Sequence, residues 1–248
     1  MTPLAEPGLE HHAVAATVAD KTRTPRMFSA IARRYDLLNH VLSGNVDRRW
    51  RRSLVECAQT RAGDDVLDVA TGTADVAIEF VRRARAASIT GVDLSPGMLD
   101  VGRRKLERAG LSDRIRLVEG DALSLPFENR SFDVVTIAFG LRNLPDYGRG
   151  VAEMARVLRP GGRLVVLEFL PPRGAALLAY RAYLATFLPL AGRLISGSGE
   201  AYGYLAASIR EFLDPSEVEA LLAAAGLARV ESRRLTAGIA GLYRGVKS

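Results

Sequence analysis

The chain has 248 residues, 48% hydrophobic and 25% charged, with a single cysteine, Cys57. That length suits one α/β domain with a sizeable core, and a lone cysteine excludes a disulfide scaffold and a cysteine-built zinc site. A net charge of +6, with 31 of the 34 basic residues arginine, admits nucleic acid, an anionic membrane surface or an anionic substrate as partner, or simply arginine-rich solvated faces.

Residues 1–20 carry Pro3, Pro7 and Gly8 with little periodicity and read as a flexible tail, in which His11–His12 is a solvated pair rather than a metal site. Met1–Glu10 has two acidic residues and no basic stretch, unlike a signal peptide. The longest apolar stretch, Ala175–Gly192, is broken by Arg181 and Pro189, so no spanning helix is expected. A cytoplasmic protein is the expectation. Met27, Ile31, Tyr35 and Leu38 recur at helical spacing; Ser43-Gly44-Asn45 interrupts that run, and Asp47 is placed to cap a second helix carrying Trp50, Leu54 and Cys57. Residues 21–62 thus read as a helical N-terminal cover on a single domain spanning 21–248.

From residue 64 strands and helices alternate. Val66–Ala70, Ile89–Asp93, Arg116–Glu119, Val134–Phe139 and Leu164–Phe169 are short, apolar and β-branched, with helical stretches around 75–86, 96–109 and 146–158. Such runs imply a parallel sheet covered on both faces. The rhythm then breaks at an apolar, helix-like insert over 173–195, a turn at Ser196–Gly199 and a helix at Pro215–Ala225. Ala228–Leu235 and Ile239–Lys247 read as a closing hairpin, which makes the last of seven strands antiparallel to its neighbours.

Ligands of open parallel sheets bind outside the carboxyl ends of the strands. The first strand runs into Asp68-Val-Ala-Thr-Gly-Thr-Ala-Asp75, where Gly72 and its small neighbours let a ligand approach the backbone at a helix N-terminus. The second ends in Asp93, a carboxylate able to take both hydroxyls of a ribose or, more plainly, to cap the helix opened by Ser95-Pro96. The third ends in Gly120-Asp121-Ala122, which suits an adenine edge or an ordinary turn. Three such signals at consecutive strand ends together point to adenosine.

The segments V-L-D-V-A-T-G-T-A-D, G-V-D-L-S, E-G-D-A-L-S-L-P-F, F-D-V-V-T-I-A-F-G-L-R-N and L-R-P-G-G-R-L-V-V-L-E-F resemble class I S-adenosylmethionine-dependent methyltransferases. More narrowly, Phe28–Asn39, Phe139–Asn143, Tyr202–Arg210 and Leu235–Ile239 resemble the C-methyltransferases of menaquinone and ubiquinone biosynthesis. The resemblance implies a Rossmann-like seven-stranded methyltransferase sheet with S-adenosyl-L-methionine as cofactor. It places cofactor contacts on Thr73, Asp93, Asp121 and Ala122, beside Asp68 and Gly72 of the first loop. A further contact falls on Ala138, where the family often has a serine, which leaves a backbone contact only. It also implies a prenylated quinol as substrate, demethylmenaquinol first, with a benzoquinol or another phenolic ring as alternatives.

Methylating an aromatic carbon needs a neighbouring ring hydroxyl to lose its proton, so a donor or cation and a water-mediated base are expected. Arg142 and Asn143 follow the fourth strand, where the resemblance puts the transferring methyl. Arg142 is assigned oxyanion stabilisation and Asn143 the orienting of a water or hydroxyl, against a structural salt bridge and a turn ending. Tyr35, Tyr202 and Tyr204 are assigned to the substrate pocket, with 171–212 as a substrate-side insert that closes over it or packs as core. The run Arg48-Arg49-Trp50-Arg51-Arg52 suits transient contact with anionic head groups on the inner face of a membrane, or an anchoring of the two N-terminal helices. A homodimer is left open. No D/N-P-P-Y follows the fourth strand and no aromatic RNA platform is visible, so nucleic acid is not an expected partner. A catalytically silent cofactor-binding subunit is the reading of another class.

Overall fold

The computed structural model of the chain describes residues 24–43, 45–84, 86, 88–170 and 200–248. Two helices, α1 (Thr24–Ser43) and α2 (Val46–Ala58), precede the sheet. Then β1 (Asp65–Val69), α3 (Asp75–Arg83), β2 (Ser88–Asp93), α4 (Pro96–Ala109) and β3 (Ile115–Glu119) wind outward toward one edge. The chain returns across the sheet to β4 (Phe132–Ala138), α5 (Tyr147–Val157) and β5 (Leu158–Phe169), and ends with α6 (Glu200–Arg210), α7 (Pro215–Ala224), β6 (Leu227–Leu235) and β7 (Ala240–Lys247).

The seven strands lie in the order β3-β2-β1-β4-β5-β7-β6. Strands β1 to β5 are mutually parallel, and β7 runs antiparallel to both neighbours, Phe169 opposite Ala240 and Leu235 opposite Ala240. The expected fold class is therefore the observed one. The winding reverses between β1 and β4, so their carboxyl ends diverge and leave the crevice in which such sheets hold ligands.

Successive strand side chains point to opposite faces, and this divides the core in two. Leu67, Val135, Ile137, Leu164, Val166 and Tyr243 pack on one face; Leu54, Val66, Phe80, Val134, Val165 and Leu242 pack on the other. Helices cover both, which is why the strands read as continuous apolar runs. Strand β5 begins six residues before the expected Leu164, running through Pro160-Gly161-Gly162, residues that signal a turn; a register shift against β4 between Phe132 and Val134 accommodates them.

Asp47 does not cap α2. Asn45 precedes the helix in a left-handed conformation, φ 63°, and Asp47 sits inside the first turn, accepting from Ser43 Oγ at 2.7 Å and pairing with Arg51 at 2.6 Å. Trp50 anchors α2 to the strand ends: it is buried, its ring centroid lies 6.0 Å from that of Phe139 and 5.9 Å from that of Phe169, and its Nε1–H donates to Thr236 Oγ1 at 2.8 Å. Buried in this way it cannot also insert at a lipid interface. The expected tail, the insert at 173–195 and the turn at 196–199 lie outside the described residues.

Candidate active site

A cleft of about 200 Å³ opens at the carboxyl ends of the strands on either side of the reversal. Gly72 and Ala70 follow β1, Asp93, Leu94 and Ser95 follow β2, Gly120, Asp121 and Ala122 follow β3, and Ala138, Phe139, Gly140 and Asn143 follow β4. Thr24 and Phe28 of α1 close one side. Of the residues singled out from the sequence, the topology gathers Gly72, Asp93, Asp121, Ala122, Ala138 and Asn143 into this one cavity.

The loops earn their shape from strained backbone. Ala70 and Ala74 take left-handed φ values of 52° and 68° around Gly72, itself at 57°, and Phe139 does so at 57°. Non-glycine residues in that region are uncommon and cluster at functional turns. Gly140 is required by proximity: a Cβ there would lie 2.6 Å from that of Ala70.

Asp93 binds the first loop and starts the next helix. Its Oδ2 accepts from Gly72 N at 2.8 Å and its Oδ1 from Ser95 N at 2.9 Å, while Ser95 is the N-cap of α4. Burial raises its carboxyl above the ordinary value against these backbone hydrogen bonds. Asp121 Oδ1 accepts from Leu123 N at 2.8 Å, which fixes the turn after β3 beside buried Ala122. Two carboxylates at adjacent strand tips, flanked by the partly exposed Leu94, form a donor set that fits an adenosine: a diol on one acid and an exocyclic amine on the other.

Asp68 and Thr73 stand behind that cleft, along a smaller cavity lined also by Arg51, Thr71, Asp75 and Phe139. Thr73 is buried and donates to Asp36 Oδ1 of α1 at 2.5 Å; Lys105 Nζ donates to Thr73 Oγ1 at 3.0 Å and pairs with Asp36 at 2.6 Å and Asp75 at 2.7 Å. That hydroxyl, expected at the cofactor, joins α1 to α4 and the first loop. Arg51 pairs with Asp47 at 2.6 Å and Asp75 at 3.2 Å. Asp68 accepts from Thr71 Oγ1 at 2.7 Å and Thr136 Oγ1 at 2.8 Å, and burial pushes its carboxyl from 3.8 up to about 6.

A folded-state value above the unfolded one stabilises the protein below about pH 4, and that contribution is lost as the pH rises through 6. Asp68→Asn removes the buried charge, so it is expected to be more stable than the parent at pH 8 by on the order of 1–2 kcal/mol, with no such gain at pH 4. Thermal unfolding of both proteins across this range checks it. A difference that does not change with pH contradicts it.

Arg142 and Asn143 share a one-turn 3₁₀ segment, Leu141–Asn143. Arg142 is 4% exposed and does not line the cleft: Nη1 donates to Glu168 Oε1 at 2.6 Å and to Phe139 O at 2.5 Å, with the guanidinium carbon 5.3 Å above the Phe169 ring. Its Nε is buried and has no hydrogen-bond partner among the described residues. The open oxyanion contact expected of Arg142 is thus replaced by a buried ion pair behind the cleft wall. Asn143 does face the cleft; its Nδ2 donates to Phe139 O at 3.2 Å and its Oδ1 accepts from Tyr204 OH at 3.0 Å. Burial raises the Tyr204 hydroxyl above its ordinary value, so it stays a neutral donor. The side chains of Tyr35 and Tyr202 lie outside the described set.

The sequence points Arg51 toward head groups or helix anchoring rather than this cavity, and gives Glu168, Thr24 and Phe28 no site role of their own. Glu168 did leave a signal, a lone charge in the otherwise apolar Leu164–Phe169, which a buried strand holds only with a partner.

Residues 16–247 match the model of the ubiE/COQ5 methyltransferase family. A demethylmenaquinone methyltransferase of Thermus thermophilus is 50% identical over 220 residues, 88% of this chain and 99% of that one. A ubiquinone/menaquinone biosynthesis C-methyltransferase UbiE of Azotobacter vinelandii is 43% identical over 227 residues, 91% of this chain and 90% of that one. Among solved structures, a SAM-dependent methyltransferase from Aquifex aeolicus superposes with a TM-score of 0.59 at 16% identity, over 80% of this chain and 89% of that one, a likeness of fold.

Proposed function

The chain belongs to the ubiE/COQ5 methyltransferase family, and from that premise we propose that it methylates a ring carbon of a prenylated quinol, demethylmenaquinol first, with S-adenosyl-L-methionine as methyl donor. The observation that carries the reading is the juxtaposition in one cleft of the adenosine-fitting acids Asp93 and Asp121 with Asn143, whose Oδ1 accepts from Tyr204 OH, in a chain half identical to a demethylmenaquinone methyltransferase. The cofactor supplies a methyl that is already electrophilic on a sulfonium.

The residues bind, orient and hold protons. Asp93 takes the ribose hydroxyls and Asp121 with the Ala122 amide takes the adenine edge, while Ala138 and Gly72 leave room at the backbone. Arg51 and Asp68, opposite charges lining the adjoining cavity, suit the carboxylate and ammonium of an amino-acid end. Asn143, steadied by Phe139 O and Tyr204, holds a ring hydroxyl or a water where the ring proton leaves. The buried Arg142 cation, paired with Glu168, fixes that turn through Phe139 O. Positioning of this kind is worth roughly 7–11 kcal/mol of barrier in well-aligned intramolecular reactions.

A prenylated substrate resides in lipid, which puts the protein at the inner face of a membrane transiently. The exposed Arg48, Arg49 and Arg52 of α2 support this, at about 1 kcal/mol each near an anionic leaflet. Among the described residues no helix is long and apolar enough to cross a membrane.

Only the hydroquinol has the phenolic hydroxyl that makes its ring carbon nucleophilic. Methyl transfer from labelled cofactor to short-chain demethylmenaquinone is therefore expected with dithionite present and at least tenfold slower without it. Equal labelling of the oxidised ring contradicts the reading.

A further inference from the structure

Glu168 is wholly buried at the end of β5, one residue from the strand's last position, and its carboxylate holds three donors. Oε1 accepts from Arg142 Nη1 at 2.6 Å and from Phe169 N at 2.9 Å; Oε2 accepts from Arg142 N at 3.2 Å. It therefore grips Arg142 twice, by side chain and by backbone. Arg142 Nη1 in turn holds Phe139 O, the carbonyl that also receives Asn143 Nδ2, and Asn143 Oδ1 receives Tyr204 OH. The chain of contacts runs unbroken from the sheet core to the two polar groups set aside for the ring.

We infer that Glu168 is a positioning residue of the methyl transfer, acting through Arg142 to set where Asn143 and Tyr204 meet the substrate. The inference rests on the function proposed above. The turn needs such a grip because it is strained: Phe139 is left-handed at φ 57°, and Gly140 sits where a Cβ would lie 2.6 Å from Ala70. A one-turn 3₁₀ segment has too few hydrogen bonds of its own to hold this geometry. A carboxylate that binds both the backbone and the cation supplies what is missing, and it stays fixed because its own amide partner, Phe169 N, belongs to the sheet.

The cation also cannot stand there alone. An unpaired guanidinium inside the fold would draw in water or swing outward. Either movement takes Phe139 O, and with it Asn143, out of register. Cofactor contacts at Asp93 and Asp121 lie across the cleft on other strands and share none of these hydrogen bonds.

The test uses the full-length protein, reduced short-chain demethylmenaquinone and labelled cofactor. Glu168→Gln keeps the shape and removes the charge. It is expected to lower kcat at least tenfold, with KM for the quinol and the calorimetric affinity for S-adenosylmethionine within threefold of the parent. In the background of Arg142→Ala, adding Glu168→Gln is expected to cause less than a twofold further loss, because the first change has already removed its point of action. Should Glu168→Gln fail to fold, Glu168→Asp retains the charge at shorter reach and is expected to show the same split between kcat and affinity. Parent-like kcat in either soluble variant, or equal losses of kcat and cofactor affinity, overturns the inference. The parent's own turnover in the same assay decides the underlying functional reading separately: a parent that methylates while Glu168→Gln equals it sinks this inference alone.

Discussion

Arg142→Ala is expected to lower the unfolding free energy by about 3–5 kcal/mol, the size of loss seen when one member of a buried ion pair is removed. Glu168 is wholly buried, so the substitution leaves its charge without a cation and its oxygens with two backbone amides. The guanidinium also covers the Phe169 ring, and its loss opens a void beside the Trp50–Phe139–Phe169 cluster. Two effects thus add in the same direction. Turnover is expected to fall further than cofactor affinity, since Arg142 holds Phe139 O, the carbonyl that also receives Asn143 Nδ2. Urea unfolding, with assays held well below the variant's transition, separates the two effects. A stability change under about 1 kcal/mol would place the pair in the range of exposed ion pairs and contradict its burial.

Asp93→Ala is expected to weaken S-adenosylmethionine binding by roughly 2–4 kcal/mol, through the loss of two charge-assisted hydrogen bonds to the ribose. That corresponds to about 30- to 1000-fold in Kd. Part of the loss is indirect, because the same carboxylate receives Gly72 N and Ser95 N and so fixes the first loop and the start of α4. Asp93→Asn retains one acceptor of similar shape and is expected to fall between parent and alanine variant. Titration calorimetry gives all three affinities. An unchanged Kd for Asp93→Ala would leave Asp93 as a helix cap and nothing more.

The positions of β1, β2, β4 and β5 were legible because their residues face apolar layers on both sides and therefore appear as short apolar runs. Asp93, Asp121, Ala122 and Ala138 were legible for a related reason: a parallel sheet brings every carboxyl end to one edge, so whatever follows a strand faces the cleft. Partners brought in by tertiary approach were not. Arg51 reaches Asp75 from a different helix, and Phe28 meets the cleft only because α1 lies across α4, with Ser29 Oγ 2.7 Å from Ser95 Oγ. Arg142 was recognised but given an open position, because sequence shows the cation and not the carboxylate buried beneath it. Asp47 misled for a local reason, since a left-handed Asn45 starts the helix two residues earlier than a capping Asp47 requires.

Methylation of a prenylated naphthoquinol ring carbon is decided by a single comparison. Purified protein, labelled S-adenosylmethionine and two reduced acceptors of equal prenyl length, a demethylmenaquinol and a demethylated benzoquinol, are assayed side by side, and the labelled products are identified by mass. A ring-carbon methyl is expected on the naphthoquinol, with kcat/KM at least tenfold higher than for the benzoquinol. Label on the benzoquinol alone, on an oxygen rather than a carbon, or on neither acceptor would contradict it.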